Sequence, residues 1–241
     1  MKKFIKIFLI STISIILTLG IYIFGRGYIF YKNTIKTMSL QDKVLQIQQA
    51  DSFVSINDMP KEYKNAVIAV EDHRFEEHGA IDYIAITRAL TSDLKNRELV
   101  EGGSTITQQV IKNLYFMDEN TRNDSLDRKI AEIIMGIELE NKYSKDEIFE
   151  LYANNIYFGD GYYCLKDAAK GYFNKEPAEM NLYECTLLAG IPNAPSVYSP
   201  NVNPELSKKR QAKVIRSMVK YGYLTQEEAD SINLNEYYEN K

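Results

Sequence analysis

Two glutamates and a group of cations in the middle of the chain are the residues best suited to chemistry. Glu71 is followed directly by Asp72, and Glu132 comes shortly after Arg128 and Lys129. A carboxylate can take a proton from a hydroxyl group, while fixed cations can hold the negative charge that develops on a departing phosphate. These residues therefore predict chemistry at a sugar carbon that carries an anionic leaving group.

Glu71 ends an apolar run at residues 66–70, which predicts a carboxylate at the C-terminal end of a buried helix. Burial and the negative end of the helix dipole both disfavour an anion there, so we expect a carboxyl group suited to act as a base. The neighbouring Asp72 adds to this effect if the two side chains approach. The alternative is an acidic pair facing water at a helix end; Phe75 and His78, close behind, favour the first interpretation.

A glycine-rich segment leads into the next predicted helix. The segment Gly102-Gly103-Ser104 predicts a loop whose N–H groups suit an anion or sugar hydroxyl groups. The helix after it carries polar residues at i, i+3, i+4 and i+7, a spacing that forms one stripe opposite an apolar face. These residues are Thr105, Gln108, Gln109 and Lys112. A solvated face is the alternative, but hydroxyl and amide groups with one cation favour a lining for a ligand.

Arg128 and Glu132 are i,i+4 neighbours on another predicted helix. On an exposed helix such a pair contributes only about 0.3 kcal/mol and has no further role. Within a cleft, the same two residues would be placed for a diphosphate or its metal ion.

The rest of the chain predicts a mainly helical domain. Apolar residues recur at three- and four-residue spacing, and no segment alternates over the length of a strand. Helix starts are marked by two capping boxes, Ser144 with Glu147 and Thr225 with Glu228. The 241 residues allow one soluble domain of roughly 200 residues beside a short N-terminal segment.

That N-terminal segment is an uncharged apolar run at 7–24, with Lys2, Lys3 and Lys6 before it and Arg26 after it. Its length suits a membrane-spanning helix. A cleaved signal peptide is the alternative, but the residues after the run offer no small-x-small cleavage site. Arg26, Lys32 and Lys36 after the run balance the three lysines before it, so charge alone does not decide the orientation of the helix.

Charge and composition exclude some classes of function. The net charge is −4, and the chain has no long block of Lys and Arg, which argues against a nucleic-acid partner. The two cysteines, Cys164 and Cys185, and the two histidines are not spaced as zinc ligands. Two buried free thiols are expected in preference to a disulfide, although an extracytoplasmic location would permit the bond.

Taken together, the motifs resemble the peptidoglycan glycosyltransferases, glycosyltransferase family 51. This family includes the monofunctional biosynthetic transglycosylases and the glycosyltransferase domain of bifunctional penicillin-binding proteins. The resemblance covers about residues 59–220. The matching positions are Glu71, Asp72, Phe75 and His78 for Glu-Asp-x-x-Phe-x-x-His; residues 102–109 for Gly-Gly-Ser-Thr-Ile-Thr-Gln-Gln; Arg128, Lys129 and Glu132 for Arg-Lys-x-x-Glu; Lys145, Ile148, Tyr152 and Asn154 for a fourth block; and Arg210 for a looser fifth. The fourth block departs from the family pattern at Phe149 and Ala153, where packing rather than chemistry is expected.

The resemblance implies a fold and a reaction. The fold is a mainly α, lysozyme-like, two-lobed helical domain with one N-terminal transmembrane helix. The reaction joins lipid II units into β-1,4-linked glycan strands and releases undecaprenyl pyrophosphate with inversion. It implies Glu71 and Glu132 as catalytic residues, with Glu71 as the base, and Lys112, Arg128 and Lys129 as the diphosphate site. Residues implied for substrate binding are Asp72, Phe75, His78, Gly103, Ser104, Thr105, Gln108, Gln109, Lys112, Arg128, Lys129, Asn154 and Arg210.

The expected layout is a cytoplasmic tail (1–6), a transmembrane anchor (7–25), a tether (26–58), the glycosyltransferase domain (59–222) and a C-terminal helix and tail (223–241). The resemblance implies that Glu132 orients cationic side chains or a divalent metal, so Mg²⁺ or Mn²⁺ is the one cofactor considered, with no organic cofactor and no dedicated metal ligands. Expected partners are lipid II, the growing glycan strand, the membrane and other cell-wall synthesis proteins. The catalytic domain is expected outside the cell membrane, with a single membrane pass.

Three alternatives compete with this interpretation. A lysozyme-like lytic hydrolase also uses a glutamate in a helical fold, but it has no need of a cation cluster. A catalytically silent membrane scaffold of the same fold is disfavoured by Glu71 and Glu132. A penicillin-type transpeptidase is set aside, because Ser-x-x-Lys occurs at 92–95 and 217–220 without a following Lys-Thr-Gly.

Overall fold

The computed structural model describes residues 2–88, 103–117 and 125–239, and these residues form helices, turns and loops without a strand. The described helices are α1 (Lys2–Thr37), α2 (Leu40–Gln48), α3 (Lys61–Glu71), α4 (Ile106–Tyr115), α5 (Leu126–Lys142), α6 (Lys145–Ala153), α7 (Leu165–Phe173), α8 (Leu182–Gly190), α9 (Pro195–Tyr198), α10 (Pro204–Lys220), α11 (Gln226–Asp230) and α12 (Glu236–Glu239), with a further helical segment at 83–88. The mainly α fold with one apolar N-terminal helix is confirmed.

Local sequence signals explain where several of these helices begin. The backbone N–H of Gln108 donates to the Thr105 hydroxyl at the start of α4, and that of Arg128 donates to the Ser125 hydroxyl at the start of α5. The predicted capping boxes at Ser144 and Thr225 are both present. Each cap satisfies backbone donors that the first turn of a helix leaves unpaired.

The core places the site at the meeting point of the long helices. α3 packs against α8 and α10, while α4 packs against α5 and α6. Large side chains such as Tyr63, Phe149 and Tyr152 are fully buried between them. Cys164 and Cys185 are buried and free, as expected.

α1 is long and apolar enough to cross a membrane, with a mean hydropathy of 2.4 over its most apolar window and no part of that window buried. The helix does not end where the apolar run ends, however. It continues without a break to Thr37, so the first part of the expected tether is helical. Charges such as Arg26 and Lys32 mark the end of an apolar segment but do not stop a helix.

Candidate active site

Glu71 is the last residue of α3, and its carboxylate is held from two other helices. Its Oε1 lies 2.7 Å from Nη2 of Arg210 on α10, and its Oε2 accepts a hydrogen bond of 3.1 Å from the Gln109 amide on α4. The Glu71 side chain is 9% exposed and the Arg210 side chain 5%. Burial and the helix dipole disfavour the anion, as the sequence predicts, but the guanidinium favours it.

Arg210 is fixed by more than the carboxylate. Its Nε donates to the Gly190 carbonyl at 3.1 Å, and its guanidinium carbon lies 5.7 Å from the centre of the Tyr198 ring. A Cβ atom at position 190 would lie 3.1 Å from Arg210 Cγ, so glycine leaves the room that this approach needs. Arg210, the residue whose match to the family pattern is loosest, thus lies directly beside Glu71.

Asp72 connects the segment after α3 to the start of α4. Its Oδ1 lies 2.7 Å from His78 Nε2, and its Oδ2 accepts from the Ile106 backbone N–H at 3.0 Å. His78 Nδ1 lies 2.6 Å from the Gly79 carbonyl oxygen. Because a carbonyl oxygen can only accept, Nδ1 donates in this hydrogen bond. Burial disfavours the charged imidazole, but the bonds to Asp72 and the Gly79 carbonyl outweigh it and raise the pKa of His78. Asp72 and His78 therefore form a hydrogen-bonded pair that fixes the segment between α3 and α4.

The predicted polar stripe on α4 contacts both Glu71 and the cations of α5. Gln109 contacts Glu71, whereas the Gln108 amide oxygen accepts from Lys129 Nζ at 2.8 Å. The Gln108 amide nitrogen and the Thr105 hydroxyl both donate to the Ala80 carbonyl. Adjacent residues of one helix thus connect the Glu71 cluster to the cations of α5.

Those cations surround Glu132. Arg128 Nη1 lies 2.6 Å from Oε1 of Glu132, and Lys129 Nζ lies 3.3 Å from Oε2. Lys129 also donates to the Ser104 hydroxyl at 3.2 Å. The Glu132 side chain is only 3% exposed and the Arg128 side chain 11%. The pair is therefore not the exposed i,i+4 contact that the sequence allowed as an alternative.

The candidate ligands for a divalent cation, at Glu132 and around Asp72, already bond other side chains in the structure. Both oxygens of Glu132 already contact cationic side chains. Asp72, His78 and Asp82 bring ligand atoms within 4.8 Å of one another, and Asp72 Oδ1 and His78 Nε2 of this group bond each other at 2.7 Å. Mg²⁺ or Mn²⁺ as a cofactor stays a prediction.

Some predicted residues lie outside these contacts. Phe75 is fully buried, and Lys145 Nζ lies 4.4 Å from the centre of its ring. These contacts favour a packing role for Phe75. Asn154 bonds both the N–H and the carbonyl of Val54 and the carbonyl of Glu150. Lys112 is exposed, as are Gly103 and Ser104. Gly102 lies outside the described residues.

Three further residues surround Glu71 that were not predicted as site residues. Among the described residues, the buried hydroxyls of Tyr63 and Tyr152 have no hydrogen-bond partner. Burial, reinforced by the charge of Glu71, raises the pKa of Tyr152. His73 lines a small cleft together with Glu71 and Ser104. Burial and the neighbouring Arg88 lower the pKa of His73. The position of His73 between two motif residues was the available signal, and Tyr152 belongs to the fourth matched block, whereas nothing in the sequence singled out Tyr63.

A comparison with known protein families finds one match over most of the chain. The family model described as Transglycosylase matches residues 38–219.

Individual relatives agree with that match. Penicillin-binding protein 1F of Bacillus subtilis is 44% identical over 73% of this chain and 24% of its own length. A provisionally named transglycosylase of Cupriavidus necator, H16_A0665, is 39% identical over 78% of this chain and 80% of its own length. Penicillin-binding protein 1A of Neisseria flavescens is 42% identical over 76% of this chain and 22% of its own length. This chain thus spans about a quarter of the penicillin-binding proteins it matches.

Proposed function

Because this chain belongs to the transglycosylase family, the peptidoglycan glycosyltransferases that its motifs resemble, we propose that it polymerises lipid II into β-1,4-linked glycan strands. The observation that carries the proposal is the connection through α4: Gln109 contacts Glu71, and Gln108 contacts Lys129 beside Arg128. A base and a cation cluster are thereby held by one helix.

In the proposed reaction, Glu71 takes the proton from the 4-hydroxyl group of the acceptor sugar. The hydroxyl oxygen forms a bond to the anomeric carbon of the growing strand. The bond from that carbon to the pyrophosphate breaks, and undecaprenyl pyrophosphate leaves from the opposite face with the bonding electrons. A general base of this kind typically contributes about 10²–10⁴ in rate.

The cations of α5 receive the charge that the leaving group develops. Arg128 and Lys129 are held in place by Glu132, Gln108 and Ser104, so little rearrangement is needed as the charge forms. Glu132 thus orients the cations directly. Lys112 lies on the exposed side of α4, from which its long side chain can approach a phosphate at the rim.

Anchorage follows from the same substrate. A lipid-linked sugar stays at the membrane surface, and α1 restricts the enzyme to that surface, which lowers the entropy cost of encounter. We propose a single membrane pass with the catalytic domain on the outer face, where it meets lipid II, the growing strand and other cell-wall synthesis proteins. Protease added to intact cells without a wall should digest the domain; digestion only after lysis would reverse this topology.

A lytic hydrolase of the lysozyme type is the main competing function. It would use a glutamate on the same polymer, but a water nucleophile and a sugar leaving group have no use for the cations around Glu132. A silent scaffold would need neither the buried Glu71 nor its partners.

The direct test uses the full-length protein in detergent with purified lipid II, followed by separation of polymer from monomer. Wild type should produce polymer, and Glu71→Gln should slow the reaction by about 10²–10⁴ without unfolding, because the amide keeps the shape but cannot take the proton. Near-full activity of Glu71→Gln at saturating lipid II would remove Glu71 from this role.

A further inference from the structure

The C-terminal part of α1, residues 26–37, lies along α5, the helix that carries Arg128 and Lys129. Arg26 Nη2 contacts Asp127 Oδ2 at 2.6 Å, one residue before Arg128. Five positions further on, the hydroxyl of the buried Tyr31 donates to Glu138 Oε2 at 3.3 Å. The membrane helix therefore contacts the helix that carries the proposed diphosphate site at both of these positions.

One glycine permits this close approach. A Cβ atom at Gly27 would lie 2.5 Å from both Cβ and Cγ2 of Ile130 on α5. At Gly20 and Gly25, on the same helix, an added Cβ meets no atom of the described residues within 4 Å. Glycine weakens a helix relative to alanine, so the contact with Ile130 gives a physical reason for glycine at position 27.

An aromatic contact extends from α1 to Arg128. The Phe30 ring stacks on the Phe116 ring with a centroid distance of 5.9 Å and an interplanar angle of 30°. Phe116 is 2% exposed, and the guanidinium carbon of Arg128 lies 6.0 Å from the centre of its ring. A cation at this distance from a ring face is attracted to it. Phe30 thus supports the surface on which Arg128 rests.

We infer that residues 26–37 of α1 form a positioning element for the reaction, acting through Gly27 and Phe30 on Arg128. This inference rests on the proposed function, in which Arg128 receives the charge of the leaving diphosphate. A diphosphate attached to a membrane lipid is held near one level of the bilayer. A rigid helix packed on α5 fixes the distance of Arg128 and Lys129 from the membrane, so that they lie at the depth of the diphosphate. A flexible tether would not fix this distance.

The first test compares Gly27→Leu with Gly25→Leu in the full-length protein, reconstituted with lipid II in vesicles. Gly27→Leu should lower kcat on the order of 10²-fold, because a displacement of about 1 Å at a reacting group has this effect. Gly25→Leu adds the same side chain two residues away, where space is open, and should match wild type. Equal kcat values for Gly27→Leu and Gly25→Leu would overturn the inference.

Phe30→Leu is the second variant, needed if Gly27→Leu fails to accumulate in the membrane. It keeps an apolar side chain and removes the ring that stacks on Phe116, so kcat should fall and Phe30→Tyr should restore it. Phe24→Leu, on an exposed part of the same helix, is the matched control. Wild-type kcat in Phe30→Leu would contradict the inference.

A double-mutant cycle separates positioning from general loss of structure. If α1 acts through Arg128, then Phe30→Leu should lower kcat in wild type and have little further effect once Arg128→Ala is present. Independent, multiplying effects would refute the role through Arg128 and leave only a structural one. Failure of wild type to polymerise lipid II would overturn the proposed function and this inference together. An active wild type with equal variants and controls would overturn this inference alone.

Discussion

Arg210 and Glu71, 139 residues apart in the chain, form a buried ion pair in which Nη2 lies 2.7 Å from Oε1. The pair brings α10 against the end of α3. Because the guanidinium favours the charged carboxylate, Arg210 keeps Glu71 in the form that can accept a proton.

Replacement of Arg210 should therefore change the pH dependence of the reaction. In Arg210→Gln the carboxylate loses its cation and takes up a proton more readily, so the acid limb of kcat/KM should move to higher pH. Profiles of kcat/KM against pH for wild type and variant measure this shift. Arg216→Gln, an exposed arginine on the same helix, is the control. An acid limb that stays in place would separate Arg210 from the ionisation of Glu71.

The cations of α5 should affect turnover in proportion to their contact with the leaving group. Arg128→Ala and Lys129→Ala should each lower kcat on the order of 10²–10³-fold, as expected for a group directed at developing charge. Lys112→Ala should act in the same direction. Lys142→Ala removes a half-exposed lysine from the same helix α5 and should leave kcat unchanged. Equal kcat values for all four variants would contradict the leaving-group role.

The sequence predicts the local features of this site well and its long-range contacts poorly. The position of Glu71 at a buried helix end and the caps at Ser144 and Thr225 follow from short patterns, because each depends on neighbours within one or two turns. The contact of Arg210 with Glu71 depends on how α10 packs, which no local pattern encodes.

α1 illustrates the same limit for the fold. The hydropathy pattern predicts its apolar part, but the extension to Thr37 depends on tertiary packing. Gly27 and Tyr31 form a stripe that is recognisable only once Ile130 and Glu138 are known to face it. Residues 26–37, the first part of the expected tether, thus belong to a packed helix.

Asn154 offers a test of a residue for which resemblance and structure point in different directions. Its amide bonds both backbone groups of Val54, so Asn154→Ala should lower the free energy of unfolding by about 1–3 kcal/mol through unsatisfied buried groups. KM for lipid II should stay the same. Thermal unfolding and steady-state kinetics on one preparation measure both quantities. A raised KM with unchanged stability would instead support a substrate-binding role.

The Asp72–His78 pair should stabilise the fold in a pH-dependent manner. The pKa of His78 is raised in the folded state, from an unfolded value of about 6.5. Its contribution to stability is therefore fully present below about pH 6.5 and is lost as the pH rises through the folded pKa. The difference in free energy of unfolding between wild type and His78→Gln should be larger at about pH 6 than at about pH 9.

Circular dichroism during chemical denaturation suits this measurement, since the chain has no tryptophan. A difference that is constant over this range, or that grows with pH, would show that His78 is not held in its charged form by Asp72.

The measurement that tests the central claim most directly compares lipid II with preformed, lipid-free glycan strands as substrates of the wild-type protein, side by side, with Glu71→Gln as the inactive control. Transfer to a sugar hydroxyl with loss of a diphosphate predicts that wild type converts lipid II to polymer and leaves the lipid-free strands intact. Cleavage of those strands, with lipid II left as monomer, would contradict the glycosyltransferase account and establish a lytic enzyme in its place.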